Sequence, residues 1–125
     1  MKEQAIKLQT VEKRLSESKG SFELFALFLR EDAPNKWDLL ISSDWARENK
    51  KTALDIIIAE MQKILTQPEQ LMFSRIIILE KNDAALSAFQ SAIRVEHGMA
   101  EVLDSNFNGL AIKHAYLITS SNPTV

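Results

Sequence analysis

Asn108-Gly109 constrains this chain more tightly than any other pair of residues in it. Both residue types tolerate positive φ, which a two-residue type I′ turn requires, so the pair predicts an antiparallel β-hairpin. That turn sets a register in which Phe107 faces Leu110, Ser105 faces Ile112 and Asp104 faces Lys113, with opposite charges meeting across the strands. Side chains alternate along a strand, so Phe107, Leu110, Ile112, His114 and Tyr116 share one face. Ala111, Lys113, Ala115 and Leu117 take the other. Residues 120–125 read as a short tail.

The rest of the chain supplies partners for that hairpin. Ala5, Leu8, Val11 and Leu15 recur at helical spacing, and Gly20 stands where a C-cap falls, so Lys2 to Lys19 reads as an amphipathic helix. Its narrow apolar stripe suits a helix lying across the domain or against a partner. Ser21 to Arg30 (SFELFALFLR) reads as a strand from its aromatic content, and Pro34 with Asn35 marks a turn. Trp37 to Ser43 then returns as the second arm of a hairpin. Ser42, Ser43 and Asp44 are N-cap types, introducing one long helix with apolar positions Leu54, Ile57, Ile58, Met61, Ile64 and Leu65. That helix should end before Pro68, which pushes Gln67 out of helical geometry. Ser74 to Leu79 (SRIIIL) is β-branched without alternation, as expected of a central strand buried on both faces. Asn82 or Asp83 caps a third helix carrying Leu86, Phe89 and Ile93, with Gly98 soon after it.

The resulting order is α-β-β-α-β-α-β-β, which predicts a five-stranded mixed sheet covered by three helices, an α/β fold bordering on α+β. Strand–helix–strand units place parallel pairing in the middle, and the hairpins add antiparallel strands toward the edges. With 125 residues the chain suits one domain, 1–125, whose N-terminal helix is 1–20 and whose mixed-sheet core is 21–119. A chain of this size buries about two thirds of its unfolded surface and needs no staple. The absence of cysteine excludes disulfides, thiol catalysis and cysteine-ligated metals, and fits a reducing cytoplasm. A net charge of −2 carries no basic footprint, so nucleic acid is not indicated. Residues 1–20 are charged throughout and lack the core of a signal peptide, and no apolar run is long enough to span a membrane.

Candidate chemistry is sparse. A metal nuclease needs carboxylates converging on Mg²⁺, with an acid and a lysine two residues apart on one strand. Glu80 and Lys81 come near this pattern, but adjacent strand residues point to opposite faces and Asn82 stands where the lysine belongs. Asp38 and Asp44 are six residues apart, about 20 Å along a strand, too far for a shared ion. Asp44 reads as a helix cap. His97 and His114 are the two histidines, each a possible general base, and His114 joins Glu80, Lys81 and Asp44 as a candidate catalytic residue. By default His114 reads as a hydrogen-bonded structural histidine in the strand stripe, and His97 as a helix-end cation complementing the dipole. P-loop, GxGxxG, GxSxG and HExxH patterns are missing, and no cofactor motif is present. Arg47, Lys50 and Lys51 fall at a predicted helix start, where cations are unfavourable, and with Ser42 and Ser43 they suggest contact with an acidic partner or a phosphate.

Asp32 to Trp45 (DAPNKWDLLISSDW), with RIIILEKND further on, resembles small bacterial proteins, a resemblance that carries no catalytic motif. The leading expectation is a protein-interaction or accessory binding module, possessing an amphipathic first helix and able to pair with itself or another protein. Trp37, Trp45, Arg47 and Lys50 are its candidate contact residues. One alternative is a divergent metal-dependent nuclease or phosphodiesterase using Glu80, Lys81 and Asp38 or Asp44. Another is a small-ligand sensor with a pocket beside Trp37, Trp45 and Tyr116.

Overall fold

The computed structural model describes residues 1–32, 35–107 and 109–121, with Leu110 by its backbone alone. Its elements run α1 (Lys2–Ser18), β1 (Leu24–Leu29), β2 (Trp37–Ser42), α2 (Asp44–Glu48), α3 (Lys50–Ile64), α4 (Gln67–Gln70), β3 (Phe73–Ile78), α5 (Ala84–Ala92), β4 (Ala100–Phe107) and β5 (Leu110–Ser120). The expected mixed α/β architecture and element order hold, with two short helices added. The five strands lie in the order β3-β2-β1-β5-β4. Apolar β1 sits at the centre, antiparallel to β2 and to β5.

The single parallel pairing, β2 with β3, lies at one edge rather than in the middle. SRIIIL is therefore an edge strand, and apart from the buried Leu79 its residues are half-buried or exposed instead of enclosed on both faces. The cause is topological: the β1–β2 hairpin occupies the inner side of β2, so the crossover can deliver β3 only to the outer side. Composition alone could not distinguish these two positions.

The sheet separates two cores. On one face α1 and α3 cover Phe25, Leu27, Leu39, Ile41, Tyr116 and Ile118. On the other, Leu86 and Phe89 of α5 pack over Leu24, Ala26, Ala115 and Leu117. The α1 stripe of Ala5, Leu8, Val11 and Leu15 is buried as expected, so this helix lies across the domain. Each fully buried leucine contributes about 2 kcal/mol of transfer free energy. Among the described residues no helix is long and apolar enough to cross a membrane.

Several local expectations change. The long helix breaks at Asn49, whose side chain accepts from the Thr52 N–H at 3.1 Å and starts α3 afresh. Its buried positions are Ala53, Ile57 and Met61, leaving Ile58 41% exposed. Gln67 is helical after all, because Thr66 caps a new turn with Pro68 in its first positions, where a missing N–H costs nothing. Asp83 is the cap of α5, which stops before Ile93. Ser120 and Ser121 are buried, with the Ser121 N–H bonded to the Glu23 carbonyl at 3.0 Å, so the supposed tail begins in the core.

In the C-terminal hairpin, Phe107 pairs with Leu110 and Ser105 with Ile112, as the turn argument required. Gly109 has φ +89, while Asn108, on which the turn type depends, lies outside the described residues. The single apolar face does not persist. Phe107 and Ile112 join the α5 core, whereas Tyr116 joins the opposite one, and His114 packs edge-on against Trp37 at 5.1 Å. Asp104, at φ 43, marks the break and forms no ion pair with Lys113 among the described residues.

Glu69 ties α4 to α1. Its carboxylate accepts from Lys7 Nζ at 2.7 Å and Gln4 Nε2 at 2.9 Å, and it closes the capping box with the Thr66 N–H at 2.9 Å. The Lys7 hydrogen bond, followed by that N–H, lowers its pKa to about 2. The folded value lies below the ordinary 4.5, so the stabilisation is complete above that pH and fades as pH falls toward 2. Between those limits Glu69→Gln should lose less thermal stability on acidification than the wild type. Parallel melting curves across the window would refute this role.

Candidate functional site

The residues singled out around Asp44 do converge. Arg47 is the centre of the junction where β2 leaves the sheet. Its Nη1 donates to Ser42 Oγ at 2.7 Å and to the Leu79 carbonyl at 3.3 Å. Its Nη2 donates to Glu23 Oε1 and Asp44 Oδ1, both at 2.6 Å. Burial opposes the charge on Arg47, but the bonds to Glu23 and Asp44 outweigh it and raise the pKa. The predicted clash with a helix dipole disappears for Arg47, because α2 is only five residues long and Arg47 falls in its last turn, whereas Lys50 and Lys51 do open α3 as expected. Ser43 occupies the N-cap position, yet its hydroxyl donates to the Ser21 carbonyl at 3.0 Å instead of capping. Asp44 lies inside the helix, paired with Arg47, and is not the cap.

Trp45 completes the joint. Its indole Nε1–H donates to the Gly20 carbonyl at 3.1 Å, and its ring meets Phe22 edge-on at 5.8 Å. Gly20 has φ +137, and a Cβ there would stand 3.3 Å from Trp45 Cδ1, so both conformation and space favour glycine. Trp45 and Arg47 thus fasten the end of α1 and the start of β1 to the end of β2.

Lys50 pairs with Glu80 on the exposed rim of this junction, and that hydrogen bond lowers the Glu80 pKa. Lys81 lies near enough to Asp44 to add to the lowering that Arg47 causes there. Asp38 stands apart, opposite Arg75, to which it is bound by two hydrogen bonds of 2.5 and 3.2 Å. Arg75 precedes Glu80 by five residues, about 16 Å of strand, so Asp38 and Glu80 do not share a metal ion. Among the described residues no group of three or more His, Asp or Glu gathers as metal ligands. Trp37 and Trp45 flank opposite ends of β2, and Trp37 is buried beside Tyr116. His114 is a bonded structural histidine, its Nε2 2.9 Å from Glu101 Oε2.

Beside the junction lies a cleft of about 240 Å³ lined by Ser21, Glu23, Lys81, Glu96, His97 and Ser121, among others. His97 lies beyond the end of α5, with φ 48, and so is not a helix-end cation. Its Nδ1 is 2.6 Å from Glu12 Oε1, and Thr119 Oγ1 donates to Glu12 Oε2 at 2.7 Å. Glu12 and Thr119 were invisible to motif reasoning. A signal existed for Glu12, because it falls four residues after Leu8 and three before Leu15, on the stripe of α1 that faces the core.

A second concavity, about 340 Å³, runs between α3 and the outer strand β3. Leu54, Ile58, Met61, Phe73 and Ile76 line it. The Leu79 N–H donates inward to the Ile41 carbonyl at 2.8 Å. By the alternation of a parallel ladder, Arg75 and Ile77 face β2 in the same way, while Ile76 and Ile78 turn their backbone groups outward; a register shift between Trp37 and Asp38 ends the alternation before Ser74. Nearby Leu71 is 67% exposed. Comparison of the chain with protein-family models, with curated proteins and with solved structures found no match.

Proposed function

We propose that this chain is an interaction module that pairs with a second copy of itself through the outer edge of β3. The observation that carries this reading is the mismatch between the sequence of β3 and its position. Ile76-Ile77-Ile78 has the composition of an enclosed strand but lies at an edge, presenting unpaired N–H and C=O groups. Such an edge is a template for strand addition unless it is blunted. The opposite edge, β4, carries Glu101 and the irregular Asp104. On β3 the lone cation, Arg75, is already engaged by Asp38.

The apolar surface next to the edge supports the same reading. Helix α3 carries more apolar positions than its own domain covers, and Leu54 with Ile58 extends the exposed surface beside β3. A two-fold axis across β3 pairs each strand antiparallel with its own copy, continuing the sheet to ten strands. It also brings the two grooves beside one another, a self-complementary isologous contact.

Size-exclusion chromatography with light scattering should therefore report twice the 14.2 kDa chain mass at micromolar concentration. Ile58→Lys places a charge on the groove that a second copy would cover, and Ile58 is 41% exposed in the single chain, so the fold itself is untouched. That variant should elute as a folded monomer. A wild-type protein that is strictly monomeric at the same concentration sinks the proposal.

A further inference from the structure

The cleft contains a buried carboxylate that packing does not call for. Glu12 is fully buried, although its neighbours on the same stripe, Leu8 and Leu15, are apolar. Enclosing a carboxylate costs several kcal/mol unless its oxygens are well bonded, so such a group tends to persist where it has a task. Both oxygens are engaged here, one by the His97 ring and one by Thr119. Thr119 Oγ1 also accepts from the His97 N–H at 3.1 Å, so its own proton is directed to Glu12. The imidazole is therefore held through its ring and through its backbone. His97 adopts a left-handed conformation that non-glycine residues take at a cost, a form of strain that gathers at working sites.

With Glu12 ionised, the proton lies on Nδ1 and the lone pair on Nε2. The His97 side chain is 43% exposed and lines the cleft, and no protein group bonds Nε2 among the described residues. Lys81 also lines the cleft and has no ion-pair partner among the described residues. Glu23, Asp44 and Glu96 add three carboxylates to the lining, which disfavours polyanions such as nucleotides. A space of about 240 Å³ suits a small molecule.

We propose that His97 is a general base, oriented by Glu12 as a positioning residue, and that the cleft hydrolyses small carboxylic esters bearing at most one negative charge. In that reaction Nε2 takes a proton from a water molecule as the water oxygen bonds to the ester carbonyl carbon. The tetrahedral oxyanion is stabilised by the Lys81 ammonium. The carbonyl then re-forms as the C–O bond to the leaving alcohol breaks, and His97 returns its proton to the departing alkoxide. Ester and water become acid and alcohol, with no other reactant.

His114 is a built-in control, because its Nε2 is occupied by Glu101 and its ring packs against Trp37 and Tyr116. The probe is p-nitrophenyl acetate, hydrolysed by the full chain at neutral pH and compared with equimolar free imidazole. His97→Gln should lower kcat about a hundredfold, the usual loss when a positioned base is removed. His114→Gln should retain the wild-type rate. Glu12→Gln, nearly the same shape, should lower kcat with KM unchanged. A wild-type rate no greater than that of imidazole overturns the assignment. So does a His97→Gln variant that is folded by circular dichroism and hydrolyses at the wild-type rate. Because the His97 ring is partly exposed, that variant decides the matter even if Glu12→Gln does not fold. Full activity in a folded Glu12→Gln removes the positioning role.

Discussion

Arg47→Met is expected to cost about 3 kcal/mol, the scale for leaving one member of a largely buried ion pair without its partner. In a domain of this size that lowers the melting temperature by about 12 °C. Arg47 and Glu23 side chains are each only 12% exposed, so neither charge is compensated by bulk water. The substitution also strips a donor from the fully buried Ser42 hydroxyl and from the Leu79 carbonyl. Methionine retains much of the apolar stem, which confines the loss to polar partners. Adding Glu23→Gln to Arg47→Met should recover part of the loss, because it removes the stranded carboxylate. Lys50→Met, at the exposed pair with Glu80, should leave the melting temperature nearly unchanged. An Arg47 variant melting within two or three degrees of the wild type, by about the same conversion, contradicts the hub assigned to this residue.

Phe25→Ala should be the most damaging single truncation in the sheet, at about 4 kcal/mol, because a buried phenylalanine takes both transfer energy and a cavity with it. Phe25 is fully buried near the start of the central strand and meets Phe22 edge-on at 5.1 Å. It pairs with Ile41 on one side and Thr119 on the other, so two neighbouring strands restrain backbone relaxation into the void. Total stability of single domains is about 5–15 kcal/mol, and this loss takes a large share of it. Urea unfolding is the measure. A shift in midpoint worth less than about 2 kcal/mol at constant slope shows that the site collapses around the missing ring.

The parts of the fold that were legible rest on local physics. The α1 stripe, both hairpins, the apolar β1 and the Asp83 cap each follow from spacing or from the chemistry of one or two residues. Errors arose where two local signals competed. Asn49 inside an apolar-periodic stretch is a cap, and periodicity hid it. Pro68 reads as a helix terminator until Thr66 and Glu69 are seen as a capping box around it, a pattern that was present in the residues themselves.

The candidate site was half legible. Trp45 and Arg47 stand out because a tryptophan and an arginine in the turn that Ser42, Ser43 and Asp44 introduce need a reason, and that reason is the lock between three chain segments. From the sequence His97 reads as a helix-end cation, a role the structure removes. Its partners Glu12 and Thr119 are 85 and 22 residues away, separations that no local window spans.

The sequence by itself determined which residues are apolar at which period, where the chain turns, and therefore the order of helices and strands. Those properties belong to neighbours a few bonds apart, whose conformations are set by sterics and local hydrogen bonds. Only the tertiary structure decided that SRIIIL lies at an edge and that Glu12 meets His97. Both outcomes depend on which side of β2 was already occupied and on how α1 lies across the sheet. Contacts of that kind are made between surfaces and not along the chain, so their partners appear only when the whole domain has closed.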